Sequence, residues 1–179
     1  MIYADNAATT KLCPEAYEAM KPYFFEEYGN ASQPYSFSKA AKTALKNARA
    51  TIASCIGALP EEIYFTSGGT ESDNQVIKSS LFFEKKKNEI ITSQIEHHAI
   101  LNACAAVHSL GIPVTYLPVD GKGIVLPIEL KKRLSDKTGL VSVIYGNNEI
   151  GTIEPIKELS EISHANNALF HTDAVQAVG

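Results

Sequence analysis

The sequence predicts an α/β fold with a mainly parallel sheet that carries helices on both faces. Beyond Pro60, short apolar runs alternate with segments of helical periodicity, which is the order of strand–helix–strand crossovers. The run from Leu140 to Tyr145 shows no polar alternation, as expected of a strand buried on both faces. Because crossover helices cover both sides of a parallel sheet, these two observations favour a three-layer arrangement.

Two helices are expected before the first strand. The first begins near Pro14, a residue type favoured in the first helical turn, and runs toward Tyr28 with a kink at Pro22. The second spans about residues 36–56 and ends at Gly57, which suits a helix C-terminus. Its apolar side chains recur at steps of three and four residues, at Ala41, Ala44, Leu45, Ala48, Ile52 and Ile56.

The later elements alternate between strands and helices. Strands are expected at Ile63–Thr66, Ile90–Thr92, Val114–Leu117, Leu140–Tyr145 and Ala168–Thr172. Helices are expected at about residues 70–83, 97–109, 127–134 and 156–166. In parallel sheets the ligand lies beyond the carboxyl ends of the strands. Functional residues are therefore expected in the loops that follow strands.

Composition narrows the class of protein. The 179 residues, 45% apolar and 20% charged, suffice for a folded domain with a substantial core. A net charge of −4 argues against a dedicated nucleic-acid binder. No apolar run could cross a bilayer and the first residues lack the features of a signal peptide, so a cytoplasmic protein is expected.

The three cysteines are widely spaced, which fits neither a disulfide framework nor a zinc site. No metal site is expected. Cys55 and Cys104 lie among Ala, Ile and Val in helical patterns, so both are expected to be small buried hydrophobic residues.

The segment Ser67–Ser72 joins an expected strand to an expected helix. Gly68 and Gly69 let the backbone approach a ligand closely, and a helix start offers free N–H groups and a positive dipole end. Thr70 adds a hydroxyl donor. These features suit a phosphate, although a capping box formed by Thr70 and Asp73 is an alternative explanation.

Two further loops carry polar residues at the same expected edge of the sheet. Glu96–His98 follows a strand, and a histidine there can stack on a heteroaromatic ring and exchange protons near neutral pH. Gly146–Gly151 follows the most buried strand, and its consecutive amides could hold a phenolic oxygen or a carboxylate. A surface pair of histidines and a tight turn are the alternatives.

Asp173 follows the last expected strand, and Gln176 comes three residues later. A carboxylate at the end of a buried strand can hold a proton on a ring nitrogen, which keeps a pyridine ring charged. Asp is also common as a helix cap or turn residue. The lysines fall mostly on solvated helix faces, and none occupies a comparable loop at the ligand edge.

Together these segments resemble the N-terminal part of a cysteine desulfurase, a member of the class V aminotransferase group of pyridoxal 5'-phosphate (PLP) enzymes. No single segment is specific, but the combination occurs in the family's order along the whole chain. The matching runs are Asp5–Thr10, Gly29–Asn30, Phe65–Asn74, Glu96–His97, Asn147–Gly151 and Asp173–Gly179.

The resemblance implies roles for the residues that match. Thr70 and the backbone at Gly68 and Gly69 would bind the phosphate of PLP. His97 would stack on the pyridine ring and serve as an acid/base group, and Asp173 would pair with the ring nitrogen.

Two amides complete the implied site. Gln176 would hydrogen-bond the phenolic oxygen of PLP. Asn148 would lie near that oxygen and near the carboxylate of the substrate.

The implied fold is the large domain of PLP-dependent transferases, truncated at its C-terminal side. Residues 1–35 would form an N-terminal segment of loop and helix, and residues 36–179 an incomplete large domain. The lysine that carries the cofactor and the cysteine that carries the persulfide are expected outside this sequence. The isolated chain is therefore expected to be inactive.

The implied reaction removes sulfur from L-cysteine and leaves alanine and an enzyme persulfide for sulfur transfer, as in iron–sulfur cluster assembly. A homodimer and a sulfur-acceptor protein are the implied partners, with no nucleic acid and no membrane. A selenocysteine lyase, another class V enzyme and a non-catalytic truncated product are the alternatives.

Overall fold

The computed structural model describes residues 2–83 and 85–178. The chain divides after Phe65 into two compact units. The expected boundary between residues 35 and 36 remains a prediction. In the described ranges, no helix combines the length and the apolar character needed to cross a membrane.

The N-terminal unit is helical. It contains α1 (Pro14–Met20), α2 (Pro22–Phe25) and α3 (Lys39–Ile56), with 3-10 turns at Ser36–Ser38 and Pro60–Glu62. The interruption before Pro22 confirms the predicted kink, since proline has no amide hydrogen for the helical ladder. Gly57 ends α3 with φ 70°, a left-handed conformation that glycine adopts readily, and its amide donates to the Ala53 carbonyl.

Two expectations for residues 55–66 are wrong. Ile63–Thr66 is not a strand, because a strand needs a hydrogen-bonded neighbour and this segment pairs with none in the described part of the chain. Tyr64 accordingly has 77% of its surface exposed. Cys55 is exposed, because Ala53 is the buried residue of α3, whereas Cys104 is buried as expected.

The second unit is built on a four-stranded sheet in which all strands are parallel. Its strands are β1 (Glu89–Ser93), β2 (Val114–Leu117), β3 (Thr138–Ser142) and β4 (Leu169–His171), in the order β2-β1-β3-β4. Its helices are α4 (Gly69–Ser79), α5 (His98–Ser109), α6 (Pro127–Arg133) and α7 (Ile156–Ala165). The predicted helices and the four later strands are confirmed, with ends that differ by a few residues.

Two hydrophobic clusters show that helices cover both faces of this sheet. Neighbouring residues of a strand face opposite sides, so Ile90 and Ile91 belong to different clusters. One cluster joins Ile77 of α4, Ile90, Ile100, Ala103, Cys104 and Val107 of α5, and Leu140. The other joins Ile91, Leu117, Leu130 of α6, Val141, and Leu159 and Ile162 of α7. The three-layer arrangement is confirmed.

The strand order creates a crevice at the carboxyl edge of the sheet. From β1 the chain crosses to β2 on one side, and β3 then lies on the other side of β1. In open parallel sheets this change of direction separates the loops and leaves room for a ligand. The loops after β1, β3 and β4 all reach this edge.

Candidate functional site

The turn before α4 presents the N-terminus of an 11-residue helix. Gly68 is the N-cap and α4 begins at Gly69, so Thr70 is the second residue of the helix. The hypothesis that Thr70 caps the helix in a capping box is therefore wrong. The Glu71 carboxylate instead accepts hydrogen bonds from the Ser67 amide at 2.7 Å and hydroxyl at 2.6 Å, which lowers the pKa of Glu71.

This helix start has donors available for a ligand. The first amides that bond within the turn belong to Glu71 and Ser72, which donate to the Gly68 carbonyl at 3.1 and 3.2 Å. Among the described residues, the Thr70 hydroxyl has no hydrogen-bond partner and its side chain is exposed. Free amides and a hydroxyl at a helix N-terminus match the chemistry of a phosphate.

Glycine at position 69 allows a close approach between two parts of the site. A Cβ atom on Gly69 would lie 2.8 Å from Cγ2 of Val175, which is too close for two carbon atoms. The start of α4 therefore packs directly against the segment that follows Asp173. In the same segment, Cβ of Gln176 would lie in ordinary contact with a Cβ on Gly146, at 3.8 Å.

The loop after β1 places a histidine at the start of α5. His97 is the N-cap, and its Nδ1 accepts a hydrogen bond from the Ala99 amide at 3.1 Å. This bond makes Nδ1 an acceptor, so in the neutral ring Nε2 carries the hydrogen and can donate it in a hydrogen bond. The His97 ring is exposed.

Glu96 ties this loop to the end of β3. Its side chain is buried, and Oε1 accepts hydrogen bonds from the Ser93 hydroxyl and, at 3.0 Å, from the Ile144 amide. Burial raises the pKa of Glu96 to about 7 against the effect of these hydrogen bonds, and the charge of Asp173 raises it further. Sequence reasoning missed this role; the signal was an acidic residue three positions beyond the buried end of a central strand.

The two consecutive asparagines after β3 have different positions in the structure. Asn147 maintains a turn: its Nδ2 donates to the Ile95 carbonyl at 2.8 Å, and its Oδ1 accepts from the amides of Glu149 and Ile150 at 2.9 and 3.0 Å. Both asparagines line a cavity of about 260 Å³ together with His97, but Asn148 is the exposed one of the two. The tight-turn explanation therefore applies to Asn147, and Asn148 can reach a ligand.

Asp173 is both a turn residue and a buried carboxylate. Its Oδ1 accepts from the Val175 amide at 3.0 Å, and its carbonyl accepts from the Tyr145 amide at 2.9 Å. Only 8% of its surface is exposed. Polar atoms of Asp173, His97 and Asp73 lie within 4.8 Å of one another. Sequence reasoning considered Asp73 only as part of a helix cap and missed its place in this cluster.

The structure thus gathers most of the predicted site at one edge. The start of α4 contacts the segment after β4, His97 and Asn148 share a cavity, and Asp173 lies beside His97. At such an edge a helix start with free donors can bind the phosphate of PLP, and a buried carboxylate can pair with its ring nitrogen. A family comparison matches residues 2–179 to "Aminotransferase class-V", so the chain belongs to the class V aminotransferase family.

Individual relatives narrow the similarity. The chain is 52% identical to "Cysteine desulfurase IscS" of Methanosarcina thermophila, over 99% of this chain and 44% of the relative. It is 52% identical to the protein of the same name from Dictyoglomus turgidum, over 99% of this chain and 45% of the relative. Among solved structures, "SspA in complex with cysteine" is 36% identical with a TM-score of 0.94, over 98% of this chain and 51% of the other.

The chain therefore spans about half the length of the curated relatives it matches. Class V aminotransferases and cysteine desulfurases use PLP, which confirms the predicted cofactor. The residues present fit this group: Gly69 brings a helix start with free donors against the segment that carries a buried carboxylate. The roles assigned to individual residues remain predictions.

Proposed function

We propose that this chain supplies the PLP-binding part of a cysteine desulfurase, an enzyme that removes sulfur from L-cysteine. The observation that carries the proposal is the packing of the α4 start against the Asp173 segment, which combines a phosphate-type site with a site for a ring nitrogen. The relatives named cysteine desulfurase and the solved complex of SspA with cysteine support the substrate.

Bound PLP supplies an electron sink for the reaction, provided that its ring nitrogen stays protonated. In the proposed site the amides at the start of α4 and the Thr70 hydroxyl bind the phosphate. The Asp173 carboxylate holds the proton at the ring nitrogen, and Gln176 donates to the phenolic oxygen. His97 stacks on the ring and serves as the acid/base group, and Asn148 orients the substrate carboxylate.

The proposed reaction leaves L-alanine and transfers sulfur as an enzyme persulfide to an acceptor protein. We propose a homodimer in the cytoplasm and a role in iron–sulfur cluster assembly, for which the support is the name IscS carried by several relatives.

Titration of the chain with PLP tests this proposal. The cofactor should bind with a change in its absorbance spectrum, and inorganic phosphate should compete. Pyridoxal, which lacks the phosphate, should bind more weakly because it forgoes the donors at the α4 start. Equal affinity for PLP and pyridoxal would exclude the phosphate site.

Thr70→Ala is expected to weaken PLP binding by about 1 kcal/mol, or about fivefold in Kd, because one neutral hydrogen bond is lost while the backbone donors remain. The measurement is the dissociation constant for PLP. Thr43→Ala, at an exposed position in α3, is a matched control because it removes the same hydroxyl outside the site. An unchanged Kd for a folded Thr70→Ala variant would assign Thr70 no part in phosphate binding.

The 179-residue chain assayed alone is expected to release no sulfide from cysteine. The reaction requires a lysine held at the cofactor, and within the described residues no lysine lines the cavity shared by His97 and Asn148. Lys87 instead donates to the carbonyls of Thr138 and Asn166, near the amino ends of β3 and β4.

This expectation is checked by measuring sulfide and alanine after adding PLP and cysteine. Borohydride reduction followed by peptide mapping shows whether PLP attaches to a lysine. Sustained turnover with PLP fixed to a lysine of this chain would contradict the expectation. A parallel assay with selenocysteine identifies a selenocysteine lyase.

A further inference from the structure

A second buried carboxyl group lies beside Asp173. Asp73 is on α4, one turn beyond the helix start that faces the phosphate in the proposed site, and only 4% of its surface is exposed. One of its oxygens lies within 4.8 Å of polar atoms of both His97 and Asp173. Its Oδ1 also lies 3.8 Å from Nε2 of His171, on β4.

The groups that face Asp73 do not neutralise its charge in the absence of a ligand. They are Asp173 after β4, His171 within β4 and His97 before α5. Burial lowers the pKa of His171, which keeps that ring uncharged at neutral pH, and its Nδ1 is hydrogen-bonded to the Ser142 hydroxyl at 2.9 Å. Burial and the negative charge of Asp173 raise the pKa of Asp73 to about 6, and His97 acts weakly in the opposite direction.

We propose that Asp73 is a positioning residue for the cofactor ring, because it adds a second negative charge to the site where Asp173 holds the ring-nitrogen proton. This inference rests on the proposed function. The two carboxylates repel each other when the site is empty, and a protonated ring nitrogen next to Asp173 relieves that repulsion. Asp73 thus acts through Asp173 and favours a charged ring over a neutral ring.

The proposal has opposite consequences for the folded chain and for the cofactor. Because the folded-state pKa of Asp73 lies above its ordinary value of 3.8, its contribution to stability is fully present below about pH 4 and is lost as the pH rises through about 6. Asparagine does not ionise, so Asp73→Asn should avoid this loss of stability at higher pH. The variant should therefore be more stable than the wild type in the PLP-free chain at neutral pH. The same substitution should weaken the preference for a protonated ring.

The test compares two ligands: PLP, and 1-deazapyridoxal 5'-phosphate, in which carbon replaces the ring nitrogen. An opposite charge in direct contact shifts a proton equilibrium by about one to three pH units, and Asp73 acts through Asp173, so Asp73→Asn should weaken PLP binding by about tenfold, the low end of that range. Binding of the deaza analogue should change by less than about twofold, since it has no nitrogen to protonate. Asp136→Asn, at an exposed position, is the matched control.

A second measurement uses no cofactor. The thermal unfolding midpoint of Asp73→Asn should exceed that of the wild type, and the excess should be larger at about pH 7.5 than at about pH 4.5. If the variant does not fold, the wild-type chain still gives the answer: its preference for PLP over the deaza analogue should fall as the pH is lowered through about 6.

The outcomes separate this inference from the proposed function. If the wild-type chain binds neither ligand, the proposed function fails and the inference fails with it. If PLP binds but Asp73→Asn weakens both ligands equally or neither, the function stands and the role of Asp73 is overturned. Selective weakening of PLP, together with the pH-dependent gain in stability, supports the role.

Discussion

Asp173→Ala is expected to reduce cysteine turnover by about tenfold to a hundredfold. The assay uses a longer polypeptide that contains this chain together with a lysine that carries the cofactor. The carboxylate is buried beside His97 and, in the proposed site, forms a charge-assisted hydrogen bond with the protonated ring nitrogen. Such a bond contributes about 1.5–3 kcal/mol. Its loss should lower turnover more than it lowers retention of the cofactor, because the phosphate donors at the start of α4 would remain.

A second substitution separates the charge of Asp173 from its structural part. Oδ1 of Asp173 accepts from the Val175 amide, so alanine removes a turn as well as a charge. Asp173→Asn keeps that acceptor and removes only the charge. If the charge matters, turnover should fall by a similar factor in Asp173→Ala and in Asp173→Asn. The PLP dissociation constant should likewise rise by a similar factor in the two variants. Wild-type turnover in Asp173→Asn would show that the charge of Asp173 is not needed and that this residue only stabilises the turn.

Asp173 also affects its neighbours without any cofactor. Its negative charge raises the pKa values of Asp73 and Glu96. Asp173→Asn should therefore lower both pKa values in the PLP-free chain, which carboxyl-carbon NMR titration can follow. This readout is independent of turnover.

Most of the sheet was predictable because its strands have a local signature. The runs at β1 and β3 are apolar on both faces, and Ile90 and Ile91 indeed enter opposite clusters. Ile63–Thr66 has a similar local composition but pairs with no strand among the described residues, so composition alone could not predict its state. The predicted strand Leu140–Tyr145 runs past the end of β3 at Ser142, although the amides of Val143 and Tyr145 still donate to the carbonyls of His171 and Asp173.

The residues of the candidate site also fall into a predictable group and an unpredictable group. Residues that follow strands, such as His97 and Asp173, could be placed at the carboxyl edge because topology fixes where strands end. The position of Asp73 could not be predicted, because it depends on how one turn of α4 packs beside β4. The sequence also could not predict which of Asn147 and Asn148 maintains the turn, since adjacent amides differ only in the direction of their side chains.

Glu96 is expected to make the stability of the chain strongly dependent on pH. Its folded-state pKa of about 7 lies above its ordinary value of 4.5, because burial penalises the charged form. The contribution to stability is therefore present below about pH 4.5 and is lost as the pH rises through about 7. At about 1.4 kcal/mol per pH unit, this difference corresponds to about 3 kcal/mol of unfolding free energy.

Glu96→Gln should remove most of that pH dependence, because glutamine retains an oxygen that can accept from the Ile144 amide and does not ionise. The measurement is the free energy of unfolding by urea at intervals between about pH 5 and pH 8. The free energy of unfolding of Glu96→Gln should increase relative to that of the wild type as the pH rises. For Glu158→Gln, an exposed change on α7, the same difference should vary little with pH. Parallel curves for Glu96→Gln and wild type would contradict the assignment.

Glu96→Ala provides the complementary result. Alanine leaves the Ser93 hydroxyl and the Ile144 amide without their acceptor in the buried link between β1 and β3. An unsatisfied buried donor costs about 1–3 kcal/mol, so the variant should lose about 2 kcal/mol or more of stability at acidic pH, where the wild-type carboxyl is protonated. At alkaline pH the loss should be smaller, because the wild type then carries a buried charge. A loss that is the same at every pH would assign Glu96 to packing alone.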